Sequence, residues 1–169
     1  GLISLYPDIN QVRWVLPIEH GVLSELTIDR EAVFFAGGDG YLYSVNVEDG
    51  RVNWRYPLRN PVVSRPTVSQ GRLFVTTSDD TVYAFDAGSG EWIWHYRRRS
   101  ALPATILGAS QPLVDRGEVL AGLSDGYLVA LGVDDGKLKW ERKLHFGNKF
   151  VDVDAHPILF RSTLYIPAY

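Results

Sequence analysis

The feature that most constrains this chain is a motif it repeats. The stretch AFDAGSGEWIW, residues 84 to 94, holds two glycines, an Asp, a Ser and two tryptophans, and could pass for a catalytic loop. It recurs as SVNVEDGRVNW from 44, as ALGVDDGKLKW from 130 and, in degenerate form, as SLYPDINQVRW from 4. The closing tryptophans Trp14, Trp54, Trp94 and Trp140 are spaced by 40, 40 and 46 residues. A glycine stands four residues before three of them, as Gly50, Gly90 and Gly136, and Asn10 takes that place in the first copy. Asn is the residue next in tolerance of positive φ. An active site is built once per domain, so a feature present four times at a near-constant period is architecture.

The rest of each period aligns as well. SELTID, SRPTVS, SQPLVD and AHPILF begin at 24, 64, 110 and 155, and AVFFAGGDG, RLFVTTSDD, EVLAGLSDG and TLYIPAY follow at 32, 72, 118 and 163. These segments are short, rich in Val, Ile, Leu, Phe and Tyr, and bounded by Gly, Asp, Ser and Asn, which reads as strands joined by tight turns. GGDG and SDG supply the positive φ that two-residue hairpin turns require. No stretch sustains a 3.6-residue period, so almost no helix is expected. Each period then holds four strands, A to D. A four-stranded sheet of this size cannot bury its own faces, and such units pack side by side as the blades of a β-propeller. The expected fold is all-β. In it, AFDAGSGEWIW is strand C, a turn and strand D. Asp86 and Ser89 bond turn amides, Gly90 turns the backbone, and Trp94 supplies apolar surface to the gap between blades.

Aligned on this period, residues 1–18 are strands C and D of one blade. Whole blades follow at about 20–58, 60–98 and 104–145, and strands A and B of another occupy 150–169. The whole chain reads as one propeller domain, or part of one, with four blades' worth of strands. Three arrangements fit: a piece of a larger ring, a closed four-bladed ring, or a homodimer in which each copy's C and D complete the other's A and B. The chain opens on Gly1 and contains no Met, as expected of a processed or trimmed product.

Chemistry is sparse. The net charge of −3 gives no broad attraction for nucleic acid. Cysteine is absent, which removes disulfides and thiolate sites together. His20, His95, His145 and His156 are scattered without metal-ligand spacing. No serine sits in a nucleophile elbow. Asp39, Asp80 and Asp125 recur in the turns between B and C, where turn formation competes with calcium binding as their purpose. Tyr41, Tyr43, Tyr83 and Tyr127 recur at blade positions and are expected in the core. Arg97, Arg98 and Arg99 form a basic run, either a solvated strand end or a partner for an acidic protein. The period between Trp94 and Trp140 carries extra length in RRRSALPATILGAS, which a propeller does not need.

The motif is similar to the repeat of quinoprotein (PQQ-like) propellers, A-x-D-x-x-[ST]-G-x-x-x-W. Ala84, Asp86, Ser89, Gly90 and Trp94 match it fully. Ser44, Asn46, Asp49, Gly50 and Trp54 match in part, as do Ala130, Asp135, Gly136 and Trp140. Rings of this repeat usually have seven or eight blades, and it occurs in quinone dehydrogenases and in cofactor-free scaffolds alike. A longer resemblance runs over most of 20–169, through VVSRPTVSQGRLFVTTSDDTVYAFDAGSGEWIWHY, LPATILGASQP and VDVDAHPILFRSTLYIPAY. These stretches resemble the BamB family, periplasmic lipoproteins of the outer-membrane β-barrel assembly machine. The resemblance implies a scaffold without cofactor or catalysis. It implies a BamA-type subunit as partner, with unfolded outer-membrane proteins as a further one. It implies a contact surface of Ala104, Ile106 and Leu107 in the first long linker, with Asp152 and Asp154 in the second. Leu107 stands where the family typically has Arg. Read on their own, Ile106 and Leu107 are either an apolar anchor for a partner or cover for a core edge. Asp152 and Asp154 are either part of the same surface or solvated carboxylates. Two other classes remain open: a fragment of a quinone-dependent oxidoreductase, which would need a calcium site and typically a vicinal Cys pair, and a ligand-sensing or adhesion propeller.

Overall fold

The structure is a computed structural model that describes residues 1–98, 110–144, 157–161 and 163–166. The described residues form strands and turns with no helix. The chain opens with an antiparallel hairpin, β1 (Leu2–Tyr6) and β2 (Gln11–Leu16). A four-stranded sheet follows, β3 (Thr27–Asp29), β4 (Ala32–Ala36), β5 (Tyr41–Asn46) and β6 (Val52–Pro57). A second comprises β7 (Thr67–Ser69), β8 (Arg72–Thr76), β9 (Thr81–Asp86) and β10 (Trp92–Arg97). A third comprises β11 (Leu113–Asp115), β12 (Glu118–Gly122), β13 (Tyr127–Gly132) and β14 (Leu138–Lys143). The hairpin β15 (Ile158–Phe160) and β16 (Thr163–Tyr165) comes last. Within each sheet the strands lie in sequence order and every pairing is antiparallel.

The middle strands explain why the sequence runs apolar rather than alternating there. AVFFA of β4, RLFVT of β8 and EVLAG of β12 are buried at four consecutive positions, because a neighbouring sheet covers each face. The core is accordingly a series of interfaces between sheets. Leu2, Trp14 and Leu16 of the first hairpin pack on Val33, Phe35, Tyr43 and Val45. Phe34, Leu42 and Trp54 pack on Leu73, Val75 and Phe85. Phe74, Val82 and Trp94 pack on Val119, Val129 and Leu131. Leu120, Leu128 and Ala130 meet Leu164 and Ile166 near the last hairpin. The short A strands line up along one side, where Thr27 Oγ1 donates to the carbonyl of Pro66 and Thr67 Oγ1 to that of Pro112.

The turn between C and D does what the sequence suggested and one thing more. Asp86 Oδ1 accepts the amides of Gly88 and Ser89 at 3.0 and 2.8 Å, and Ser89 Oγ accepts that of Glu91 at 3.2 Å. Those amides, first that of Ser89, hold the Asp86 carboxyl below the usual carboxylate range. Gly50, Gly90 and Gly136 adopt φ of 73, 74 and 65°. Each glycine is also the floor of a slot that receives the tryptophan of the preceding sheet. A Cβ on Gly50 would lie 2.6 Å from Trp14, one on Gly90 2.5 Å from Trp54, and one on Gly136 2.5 Å from Trp94. Each seated indole donates Nε1–H to a carbonyl of the same turn. Trp14 reaches Val47 at 2.9 Å, Trp54 reaches Ala87 at 3.0 Å and Trp94 reaches Val133 at 3.0 Å. The motif's Gly and Trp are thus partners across sheets, not within one hairpin.

Candidate protein-docking face

Strand direction alternates, so the turns joining B to C and the connections leaving each D strand emerge on one face. Two long connections leave here, from the end of β10 and from the end of β14. Their described roots converge on a single turn, Leu123–Gly126, between β12 and β13.

Arg98 closes the end of β10. Its Nη1 pairs with Asp125, its Nε donates to Glu141 Oε2 at 3.2 Å, and its guanidinium lies 3.6 Å from the centre of the Tyr127 ring. Side-chain exposure is 18% for Arg98 and 5% for Asp125, so the pair is largely withdrawn from water. Burial lowers the Arg98 pKa, but its hydrogen bond to Glu141 and the charge of Asp125 outweigh that and leave it raised; the residue stays a cation. Asp125 Oδ1 is buried without a hydrogen-bond partner. On the far side of the first connection, Ser110 Oγ accepts the amide of Gly122 at 2.7 Å and donates to its carbonyl at 3.2 Å. The second connection starts at Leu144, whose amide donates to the carbonyl of Gly126 at 2.9 Å. Both connections are therefore fastened to the same few residues of the third sheet.

A second buried carboxylate ties the adjacent turns together. Asp80 accepts from the amide of Ser124 at 2.8 Å and from its hydroxyl at 2.5 Å. Burial pushes the Asp80 carboxyl up, the hydrogen bonds from Ser124 pull it down, and the net shift is upward. Asp80 holds φ of 60°, an uncommon conformation for a residue with a side chain.

Two expectations are corrected by this geometry. Asp80 is not the counterpart of Asp39 and Asp125. Register places Asp79 there, and Asp80 falls where the neighbouring sheets have Gly40 and Gly126. Asp39 accepts from Tyr43 at 2.5 Å and Asp79 accepts from Thr77 at 2.7 Å, so these carboxylates build turns. The described part of the basic run divides, for the Arg97 side chain stays 62% exposed and that of Arg98 only 18%. Arg97 pairs with Asp79 at 3.3 Å and Arg98 is spent on Asp125 and Glu141. Arg99 lies outside the described residues, as do Ala104, Ile106, Leu107, Asp152 and Asp154. Sequence reasoning missed the Arg98 clamp and the Asp80 bridge. A run of arginines and an Asp–Asp turn carry no local sign of what lies across the gap. Among the described residues no group of three His, Asp or Glu side chains could hold a metal ion.

The family model described as Outer membrane protein assembly factor BamB matches residues 6–169. BamB of Legionella pneumophila (strain Paris) is 35% identical over 74 residues, which are 40% of this chain and 19% of that protein. The crystal structure of BamB from Moraxella catarrhalis superposes with a TM-score of 0.84 at 25% identity, covering 95% of this chain and 51% of that one. The chain thus spans about half the length of that structure. A quinohemoprotein alcohol dehydrogenase from Pseudomonas putida follows at a TM-score of 0.69 and 18% identity, over 90% of this chain and 29% of the enzyme, a likeness of fold alone.

Proposed function

The chain belongs to the family of outer membrane protein assembly factor BamB, and we propose that it acts as a non-enzymatic scaffold of that assembly, on the periplasmic side of the outer membrane. The docking face takes a BamA-type subunit. Ile106 and Leu107, with Ala104, form the apolar contact in the first connection, and Asp152 and Asp154 supply charge from the second. The observation that carries the reading is the shared root of the two connections. Arg98, Ser110 and Leu144 all fasten to the Gly122–Gly126 region, so the stretches between those anchors start from one place on one face. An apolar pair flanked by carboxylates suits a partner groove with a basic rim. The same reading assigns unfolded outer-membrane proteins a contact with this scaffold in passing.

The test is binding of this chain to a purified BamA-type subunit. The double change Asp152→Lys and Asp154→Lys is expected to weaken binding at least ~30-fold, the equivalent of ~2 kcal/mol for reversed charges at an interface. The melting temperature is expected to stay put. Undiminished binding by the double variant refutes the assigned surface.

A further inference from the structure

The gap between the first and second sheets differs from the one between the second and third where the D strands lie. In the latter, Arg98 fills the space among Asp125, Tyr127 and Glu141. The 40-residue period puts Leu58 at the place of Arg98 in the former, and Leu58 packs into the core instead. Thr81 stands there for Tyr127, and His95 for Glu141. What results is an open cleft of about 440 Å³, within the size range of small-ligand sites. Nothing in the chain occupies it as Arg98 occupies its counterpart.

One wall of the cleft is aromatic. Tyr83 and His95 stand opposite each other in the β9–β10 ladder, with ring centroids 5.8 Å apart, and the His95 ring lies 5.6 Å from that of Trp92. In a regular strand, Trp92 and His95 would point to opposite faces. The bulge between Trp92 and Trp94 brings them to one face and sends Trp94 to the other. Trp92 is 49% exposed, where the first and third sheets have Val52 and Leu138. The end of the cleft near the docking face is cationic. Arg59 lines it and makes no ion pair among the described residues. Arg97 pairs with Asp79 at 3.3 Å, and a guanidinium has five N–H donors, so some are left over. Two arginines against one Asp leave a surplus positive charge. Burial and the charge of Asp79 raise the Tyr83 hydroxyl pKa, while Arg59 and Arg97 oppose the rise, so both cations act on the aromatic wall.

We propose that this cleft binds a carboxylate that carries an aromatic ring, with the carboxylate held by Arg59 and Arg97 and the ring lying along His95 and Trp92. Arginine meets a carboxylate through charge-assisted, often bidentate hydrogen bonds. The exposed rings offer an aromatic guest offset or edge contacts. The neighbouring gap is the internal precedent with the charges reversed, since acidic walls there receive a planar guanidinium. The inference is independent of the docking surface proposed above, which uses none of these residues.

Isothermal titration calorimetry on the chain tests it with two carriers of that chemistry, 3-phenylpropionate and the blocked dipeptide N-acetyl-Phe-Asp-amide. Saturable one-to-one binding by either is the expected result, and the tighter one identifies a free acid or a peptide segment as the source. The neutral 3-phenylpropionamide and acetate each lack half of the group and are expected to bind at least ~10-fold more weakly. Arg59→Gln and Trp92→Leu should each weaken binding at least ~5-fold. Both should keep the wild-type circular dichroism spectrum, since both side chains are exposed and Leu is what the third sheet carries at the Trp92 position. Arg59→Lys should recover part of the loss. The proposal is overturned by no saturable binding of either carrier, by equal binding of the amide, or by wild-type affinity in Arg59→Gln.

Discussion

Replacing Gly90 with Ala isolates the slot as a source of stability. Two costs arise at the turn. Ala at φ of 74° pays the left-handed penalty of ~1–2 kcal/mol. Its Cβ would lie 2.5 Å from Trp54 Cδ2, and overpacking of this kind costs ~1–3 kcal/mol. Pushing the ring out also strains the 3.0 Å bond from Trp54 Nε1 to the Ala87 carbonyl, worth ~1 kcal/mol. The total is ~3–6 kcal/mol, a large share of the ~5–15 kcal/mol that stabilises a typical domain. Gly71 is the control. Its φ is 76°, and a Cβ there would meet nothing within 4 Å, so Gly71→Ala carries the backbone cost alone. Urea unfolding followed by far-ultraviolet circular dichroism reads the difference. With a slope of ~2 kcal/mol per molar urea, the midpoint of Gly90→Ala should fall at least ~1 M below that of Gly71→Ala. In a Trp54→Ala background the excess should vanish, because the atom being struck is gone. Equal midpoints for the two alanine variants in the wild-type background refute the slot as the reason for glycine.

Two further outcomes are expected. Burial raises the folded-state pKa of Asp80 above its ordinary value, so the folded chain holds the proton longer than the unfolded one. The stability this group contributes is present below its ordinary pKa and is lost as pH rises through the raised value. Asp80→Asn should therefore flatten the dependence of melting temperature on pH across the mildly acid range and be no less stable than wild type at neutral pH; a variant destabilised equally at every pH contradicts this. Arg98→Met leaves Asp125 charged, buried and unpaired, and should cost ~3 kcal/mol. Adding Asp125→Asn should recover part of that, which a double-mutant cycle by urea unfolding measures.

The fold was legible because the repeat is local. Alternating strand and turn signals, the positive φ at Gly50, Gly90 and Gly136, and a tryptophan destined for the gap can each be read within eleven residues. What the gap contains could not be read that way. Trp54 sits on Gly90, not on the Gly50 of its own hairpin, and the identity of the two spacings hides the exchange. The Asp79–Asp80 pair offered two candidates for one turn position, and only the ladder between β8 and β9 distinguishes them. A run of three arginines reads as a solvated strand end or as a partner for an acidic protein, and only the next sheet places Asp125, Tyr127 and Glu141 around Arg98. The residues assigned to partner binding lie outside the described residues, and their assignment rests on resemblance and on where their connections are rooted.

The seating of each indole on the following sheet turns this chain into a row of nearest-neighbour couplings. Such a row loses order from its ends, since a terminal unit gives up one interface and an interior unit two. The end units here are two-stranded hairpins, which are marginal by themselves in water. Opening the first hairpin withdraws Trp14 from the slot at Gly50 and leaves the Trp54 and Trp94 seats as they were. Opening the third sheet, by contrast, unseats Trp94 and strips one face from the second. Amide exchange should therefore be graded along the chain, slowest in β8 and β9.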